Sequence, residues 1–269
     1  MPTDTEPLQE QRAFVRPGFE WRTAGAYLFD IDGTLLNSRD LVHYNSFTHA
    51  MRDVMGVETT INGLALQGNT EPGILRDALR RVGFDDEAII PKLPELATAM
   101  CEYVREHAQQ LRPELCPSIL ELVNELYGRG KLLGVASGNL ETIGWLKLER
   151  AGVRHMFSFG SFSVPRQSRA EIFAYGIDQA RERLGGSVKV HVIGDTPSDV
   201  TAARVVGVPV IALATGIFSY EELLACEPDA CFGCGADMLA HTTALNGAGK
   251  TAMDETGKAT FTSSSATIT

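Results

Sequence analysis

Residues 29–34 read Phe29-Asp30-Ile31-Asp32-Gly33-Thr34 and follow the apolar run Ala26-Tyr27-Leu28. The run has the length and apolar character of a buried strand. Two aspartates two apart at its end are hard to justify on structural grounds, because residues i and i+2 of an extended chain project to the same side. Like charges that close repel and raise each other's pKa. A cation or a reacting group that uses both carboxylates removes the conflict. The stretch therefore reads as a magnesium site with a carboxylate nucleophile beside it. Gly33 lets the backbone turn sharply just past Asp32.

Outward from this strand the pattern changes twice. Residues 41–111 are helical in character, with no convincing strand. One helix is expected through Tyr44–Val54, a second from Thr70 as N-cap with Pro72 in its first turn, and a third through Pro94–Gln109. From Pro113 on, helices and strands alternate: a helix over Ser118–Tyr127, a strand over Lys131–Ser137, a helix over Leu140–Ala151 closed by Gly152, and a short strand over Met156–Phe162. A helix over Ala170–Leu184, a strand over Val188–Gly194, a helix over Ser198–Val206 and a last clear strand over Val208–Ala212 follow. Such alternation implies an α/β fold, a Rossmann-like parallel sheet with helices on both faces. The expected organisation is an N-terminal extension of weak structure (1–24) docked by Phe19 and Trp21, a core (25–40 and 112–240) and an inserted α-helical cap (41–111). A polar tail rich in Ser, Thr, Ala and Gly (241–269) is expected to be mobile.

Composition narrows the function. The chain has 269 residues, 44% hydrophobic and 22% charged, with a net charge of -10. That balance argues against a general nucleic-acid binder, whose electrostatics need a basic face. A small anionic substrate stays compatible, since a local site can be positive on an acidic protein. No apolar run approaches the roughly 20 residues of a membrane helix, and Met1–Glu10 has no signal-like apolar core. The expectation is a cytoplasmic protein, monomer or homodimer, with a small phosphorylated metabolite as partner and neither nucleic acid nor membrane. Five cysteines do not suggest a disulfide framework. Cys231-Phe232-Gly233-Cys234, with Cys226 and His241, has the ligand types of a zinc site but lacks the second CxxC; a strand end and turn at the sheet edge is the preferred reading.

Further polar residues stand at strand ends: Ala136-Ser137-Gly138-Asn139 after one strand, Ile193-Gly194-Asp195-Thr196-Pro197-Ser198-Asp199 after another. Open α/β sheets place their ligand crevice at the carboxyl ends of strands, so Asp30, Asp32, Ser137 and Asp195 are expected to converge. In these residues the sequence resembles the haloacid dehalogenase superfamily, in its capped phosphatase branch. Asp30 to Thr34 matches that family's DxDGT motif, Ser137 its serine or threonine at the next core strand, and Gly194-Asp195 through Asp199 its GDxxxD motif. The resemblance covers roughly residues 24–235.

The resemblance implies magnesium as cofactor and an aspartyl-phosphate mechanism. Asp30 would be the nucleophile. Asp32 would act as acid and base, and its backbone carbonyl would join Asp30 and Asp195 in holding the metal. Ser137 and Gly138 would bind phosphoryl oxygens. Asp199 would orient metal-bound water or a basic residue. Asn139 reads as an N-cap, and His191 as a core histidine. The family's usual third-motif lysine has no counterpart between Phe162 and Gly194 except Lys189, inside a strand. Arg169 is the preferred substitute, with Arg166 the other candidate.

Substrate choice would fall to the cap. His43, Tyr44 and Asn45 and the loop Gln67-Gly68-Asn69-Thr70 are candidates to face the site, with Asn69 and Thr70 preferred. Gly68 to Pro72 resembles the cap loop of phosphoglycolate phosphatase-like members. Hinges are expected near Leu36–Ser38 and Leu111–Pro113. The implied activity is hydrolysis of small phosphomonoesters such as phosphoglycolate or a sugar phosphate. The alternatives are a phosphomutase of the β-phosphoglucomutase type and a non-catalytic phosphate-ligand binder. Dehalogenation fits less well because Asp32 supplies an acid–base group, and phosphonate cleavage because Lys92 is the only cap lysine. Ala244–Thr251 fits a permissive P-loop pattern but follows no strand, so nucleotide binding is not expected there.

Overall fold

The protein is described from a computed structural model, which covers residues 12–37, 40–166 and 168–241. Its strands are β1 (Ala13–Val15), β2 (Ala26–Phe29), β3 (Leu36–Asn37), β4 (Glu114–Leu115), β5 (Leu132–Ala136), β6 (Phe159–Ser161), β7 (Val190–Gly194), β8 (Val210–Leu213) and β9 (Ala230–Phe232). Seven of them form one sheet in the order β1-β9-β8-β7-β2-β5-β6, parallel except for β1. β2 lies between β5 and β7: Ala26 stands opposite Leu132 of β5 and Val190 of β7. The chain runs outward from β2 to β5 and β6 on one side, then returns to β7 and continues to β8 and β9 on the other. The strand order therefore reverses at β2, where a crevice forms.

The helices are α1 (Leu41–Met55), α2 (Glu71–Arg81), α3 (Asp86–Ile89), α4 (Leu93–Glu106), α5 (Ile119–Gly128), α6 (Glu141–Arg150), α7 (Arg169–Leu184), α8 (Pro197–Val206), α9 (Tyr220–Ala225) and α10 (Gly235–Ala240). The two faces of β2 follow the strand period of two. Tyr27 and Phe29 enter one apolar cluster with Leu122 and Leu126 of α5. Ala26 and Leu28 enter another with Ile172, Phe173 and Ile177 of α7. All four β2 residues are fully buried, and burying a side chain such as Phe29 contributes about 1.5–3 kcal/mol.

The segment α1–α4 has its own apolar cluster, including Phe47, Met51, Leu75, Leu79, Leu96 and Met100, and meets Leu140 and Ile143 at the core. The two chain crossings that connect it are paired: β3 and β4 run antiparallel, Leu36 opposite Leu115. Asp40 ties them again. One of its oxygens caps α1 by accepting from the Val42 and His43 N–H groups, and the other accepts from the Arg112 N–H at 2.8 Å.

The N-terminal region differs from its sequence reading. β1 adds an antiparallel edge strand against β9, and Trp21 is only 1% exposed, its carbonyl accepting from the Tyr27 hydroxyl at 2.6 Å. β1 and β9 have three residues each, too few for a period to show. No helix among the described residues is long and apolar enough to cross a membrane. The P-loop-like stretch Ala244–Thr251, nearly all of the tail, and Ser38 of the first hinge lie outside the described residues.

Candidate active site

Asp30, Ser137 and Asp195 are each the first residue after a neighbouring strand, β2, β5 and β7. Backbone bonds to the adjacent strand end fix the first two: Asp30 N–H to the Ile193 carbonyl, and Ser137 N–H to the Ser161 carbonyl, both at 2.9 Å. Two helix N-termini close the same corner. Ser168 begins α7 with a capping box and so sets Arg169 at its first position; Thr196 begins α8 with a capping box completed by Asp199.

A cation at a helix N-terminus opposes the macrodipole, so Arg169 needs carboxylates, and it has two. Its Nη2 lies 2.6 Å from Asp30 Oδ2, while Nε and Nη2 donate to Asp199 Oδ1 at 2.8 and 2.6 Å. The other oxygen of Asp199 accepts from the Thr196 N–H and hydroxyl at 3.0 and 2.8 Å. Both Asp199 oxygens are thus spent on holding Arg169 and starting α8. Arg166 goes elsewhere: its guanidinium sits 3.5 Å from the centre of the Tyr175 ring and donates to the Phe162 carbonyl. Of the two arginines, Arg169 is the one at the site.

Asp30 and Asp32 line the same cavity but pair separately. β2 ends at Phe29, the alternation stops there, and each carboxylate turns to its own cation. Asp32 meets Lys147 of α6, whose Nζ donates to Asp32 Oδ1 and Oδ2 at 2.9 and 2.8 Å and to Asn139 Oδ1 at 2.9 Å. Asn139 Nδ2 donates in turn to Asp32 Oδ2 at 2.7 Å and to Ser137 Oγ at 2.9 Å. Asn139 is therefore part of the site, and the N-cap of α6 is Leu140.

Neither Lys147 nor the role of Asn139 was expected from the sequence. The signal for Lys147 was its position. It shares the buried face of α6 with Ile143 and Leu148 and is 3% exposed. A lysine on the apolar stripe of a helix needs a buried partner.

The carboxylates titrate apart. Burial raises the Asp32 pKa, but the Lys147 ammonium, His43 and the two side-chain hydrogen bonds outweigh it and hold it at about 2. For Asp30, burial with the Asp199 and Asp32 charges outweighs Arg169 and pushes it up to about 6. Asp195 is raised well above the ordinary carboxylate range by burial and by the charges of Asp30 and Asp199.

These raised carboxylates have the donor set of a hard cation. Among the described residues, Asp30, Asp195 and Asp199 are the only group of three potential metal ligands whose atoms lie within 4.8 Å of one another. Asp30 Oδ1 is buried with no hydrogen-bond partner. Asp195 Oδ1 accepts from the Thr34 hydroxyl at 2.8 Å, and its carboxylate packs directly over Gly33 and Gly216, where any Cβ would collide with it. With Asp199 committed to Arg169, the free oxygens belong to Asp30 and Asp195, which fits magnesium. The cysteines form no such group. Cys231 is buried in β9 with its thiol toward the Tyr220 carbonyl, while Cys226 and Cys234 turn to Glu222 and Asp237.

The helical insertion closes the site from above. Gly138 lacks a Cβ where the Asn69 carbonyl presses against it. Beside it the Glu71 N–H donates to the Gly138 carbonyl at 2.9 Å, Glu71 Oε2 accepts from the Leu140 N–H at 2.7 Å, and the Ser198 hydroxyl donates to the Gly68 carbonyl at 3.1 Å. A cavity of about 140 Å³ remains, lined by Asp30, Asp32, Ser137 and Gly138 on the core side and by His43, Tyr44 and Asn69 on the other. Thr70 does not line it. Its hydroxyl caps α2 by accepting from the Gly73 N–H.

Residues 27–213 match the family model of the haloacid dehalogenase-like hydrolases. The chain belongs to that family. It is 26% identical over 225 residues to a phosphoglycolate phosphatase of Synechococcus elongatus, covering 82% of this chain and 98% of the relative. It is 28% identical over 213 residues to one of Agrobacterium fabrum, covering 75% and 85%. Among solved structures, CbbY from Rhodobacter sphaeroides in complex with xylulose-(1,5)bisphosphate superposes with a TM-score of 0.63 at 19% identity, over 79% of this chain and 95% of that one. That likeness is one of fold. The match takes in most of the length of both phosphatases, and the family member described here is a phosphatase.

Proposed function

We propose that this phosphatase hydrolyses small phosphomonoesters in two steps, with Asp30 as the acceptor of the phosphoryl group. The observation that carries the reading is the state of Asp30. It lies at the strand end with one oxygen on Arg169 and the other buried without a partner, facing the cavity beside Ser137. Asp30 attacks phosphorus, the bond from phosphorus to the ester oxygen breaks, and the leaving oxygen takes a proton from Asp32. Asp32 then takes a proton from water as that water attacks the aspartyl-phosphate, releasing phosphate and restoring Asp30.

Arg169 balances the charge of Asp30, with Asp199 holding its guanidinium. Ser137 and the backbone of Gly138 hold phosphoryl oxygens. Asp32 as held by Lys147 is ionised, the form that accepts a proton in the second step, and the first step uses its protonated form. Asp30, Asp195 and the Asp32 carbonyl would hold magnesium, whose charge would offset the repulsion between carboxylates and phosphate.

The segment 41–111 serves as a cap that selects the leaving group, with Asn69 as a contact. The resemblance to phosphoglycolate phosphatases supports the reaction class. The test is release of phosphate from p-nitrophenyl phosphate and a panel of phosphate esters with magnesium. Turnover should need the metal and should fall at least about 10³-fold in Asp30→Asn. An inert parent across the panel contradicts the reading and supports a phosphate-binding protein without catalysis.

A further inference from the structure

The cavity has more to it than a phosphate site, and its charges are already taken. Two cations line it, Arg169 and Lys147, together with the imidazole of His43. Arg169 is held between Asp30 and Asp199. All three N–H bonds of Lys147 go to Asp32 and Asn139. His43 faces Glu71, with Nε2 2.6 Å from Oε1. That contact is out of line for a hydrogen bond, so both atoms are buried without one. Glu71 is 3% exposed and cannot turn to water, since its other oxygen is fixed on the Leu140 N–H. Asp40, a second lining carboxylate, meets no side-chain partner among the described residues; there its oxygens accept from the backbone N–H groups of Val42, His43 and Arg112.

The side of the cavity away from Asp30 thus offers two carboxylates and one imidazole, among apolar walls from Phe47, Ile61 and Ile74. The Tyr44 hydroxyl there is likewise buried with no hydrogen-bond partner.

From this we infer that the leaving group is a small uncharged alcohol carrying a further hydroxyl on an apolar carbon frame, and that esters with a second anionic group are disfavoured. The inference rests on the phosphatase reading above and sharpens its substrate class. A carboxylate or second phosphate on the leaving group would meet Glu71 and Asp40 among apolar walls, where like charges are screened less than in bulk water. A neutral hydroxyl instead finds Tyr44 as donor and Glu71 Oε1 as acceptor, and its carbons cover the apolar walls. Sites built to pair a hydroxyl discriminate strongly, because their polar atoms are otherwise left unpaired.

The test compares 2-phosphoglycolate with hydroxyethyl phosphate, which has the same length and a neutral hydroxymethyl group in place of the carboxylate. With the full chain and magnesium, kcat/KM should favour hydroxyethyl phosphate by about 10²-fold. Glu71→Gln should narrow that ratio about tenfold by raising turnover of 2-phosphoglycolate. Tyr44→Phe should lose the advantage of hydroxyethyl over ethyl phosphate. Equal or better turnover of 2-phosphoglycolate by the parent overturns the inference and leaves the phosphatase standing. An enzyme inert toward every ester overturns the phosphatase reading, and this one with it.

Discussion

Lys147 shows how one side chain can organise a site. Its ammonium is buried, spans both oxygens of Asp32 and reaches Asn139, which continues to Ser137. Removing it should act twice. Lys147→Met leaves the Asp32 carboxylate without its cation and frees Asn139, which should cost about 3–5 kcal/mol of stability in denaturant unfolding. The same variant should lower kcat about 10²-fold, because Asp32 loses the contact that aims it. A variant with parental kcat would show that Asp32 needs no such partner. Asp30, Asp32, Ser137 and Asp195 were legible in the sequence because acidic and hydroxyl groups at the ends of apolar runs have few structural uses. Lys147 was not, because its role depends on a helix turning its apolar face toward Asp32, which chain order alone does not disclose. Thr70 is the reverse case: the sequence offers it both as a helix cap and as a substrate contact, and it caps α2 without lining the cavity.

Among the elements, the decisive contact is between the start of α2 and the loop after β5. The Asn69 carbonyl rests on Gly138, and Glu71 bonds the same loop through its backbone and its side chain. A Cβ at residue 138 would push directly on that carbonyl, so Gly138→Ala should lift residues 68–71 off the core. Displacement of about 1 Å can cost about 10²-fold in rate, and kcat/KM should fall by that order while the melting temperature changes little. Unchanged kinetics would mean that the cap loop does not set the reacting geometry. Strands β2, β5 and β7 and helices α7 and α8 were readable from apolar runs closed by glycines. The three-residue strands β1 and β9 were not, because they exist through pairing with each other and with β8 rather than through a period of their own.

For the molecule as a whole, burial inside the sheet sets a pH response apart from catalysis. His191 of β7 is 2% exposed, between Phe19 and Tyr27, with Nδ1 3.2 Å from the Trp21 carbonyl. Burial lowers its pKa to about 4. The unfolded chain, with an ordinary imidazole near 6.5, binds the proton first, so stability falls as pH drops from about 6.5 to about 4 and changes little from this group above that range. The contribution is about 3 kcal/mol across the window. Unfolding free energies of the parent and His191→Phe measured from pH 4 to 8 should show the variant losing that slope; parallel curves would place the titration elsewhere.

The whole-molecule arrangement also explains why the nucleophile sits where it does. The strand order reverses at β2, so a carboxylate just past Phe29 lies between the ends of β5 and β7, within reach of Ser137, Arg169 and Asp195. The most direct measurement of this account is chemical trapping of the phosphorylated enzyme. A phosphomonoester and magnesium are mixed with the protein, the reaction is quenched with borohydride, and the peptides are sequenced by mass spectrometry. Borohydride reduces an acyl phosphate to an alcohol, so residue 30 should be recovered as homoserine, only when both substrate and metal are present. Turnover that leaves Asp30 unmodified while another residue carries the label, or that persists in Asp30→Asn, would contradict the assignment.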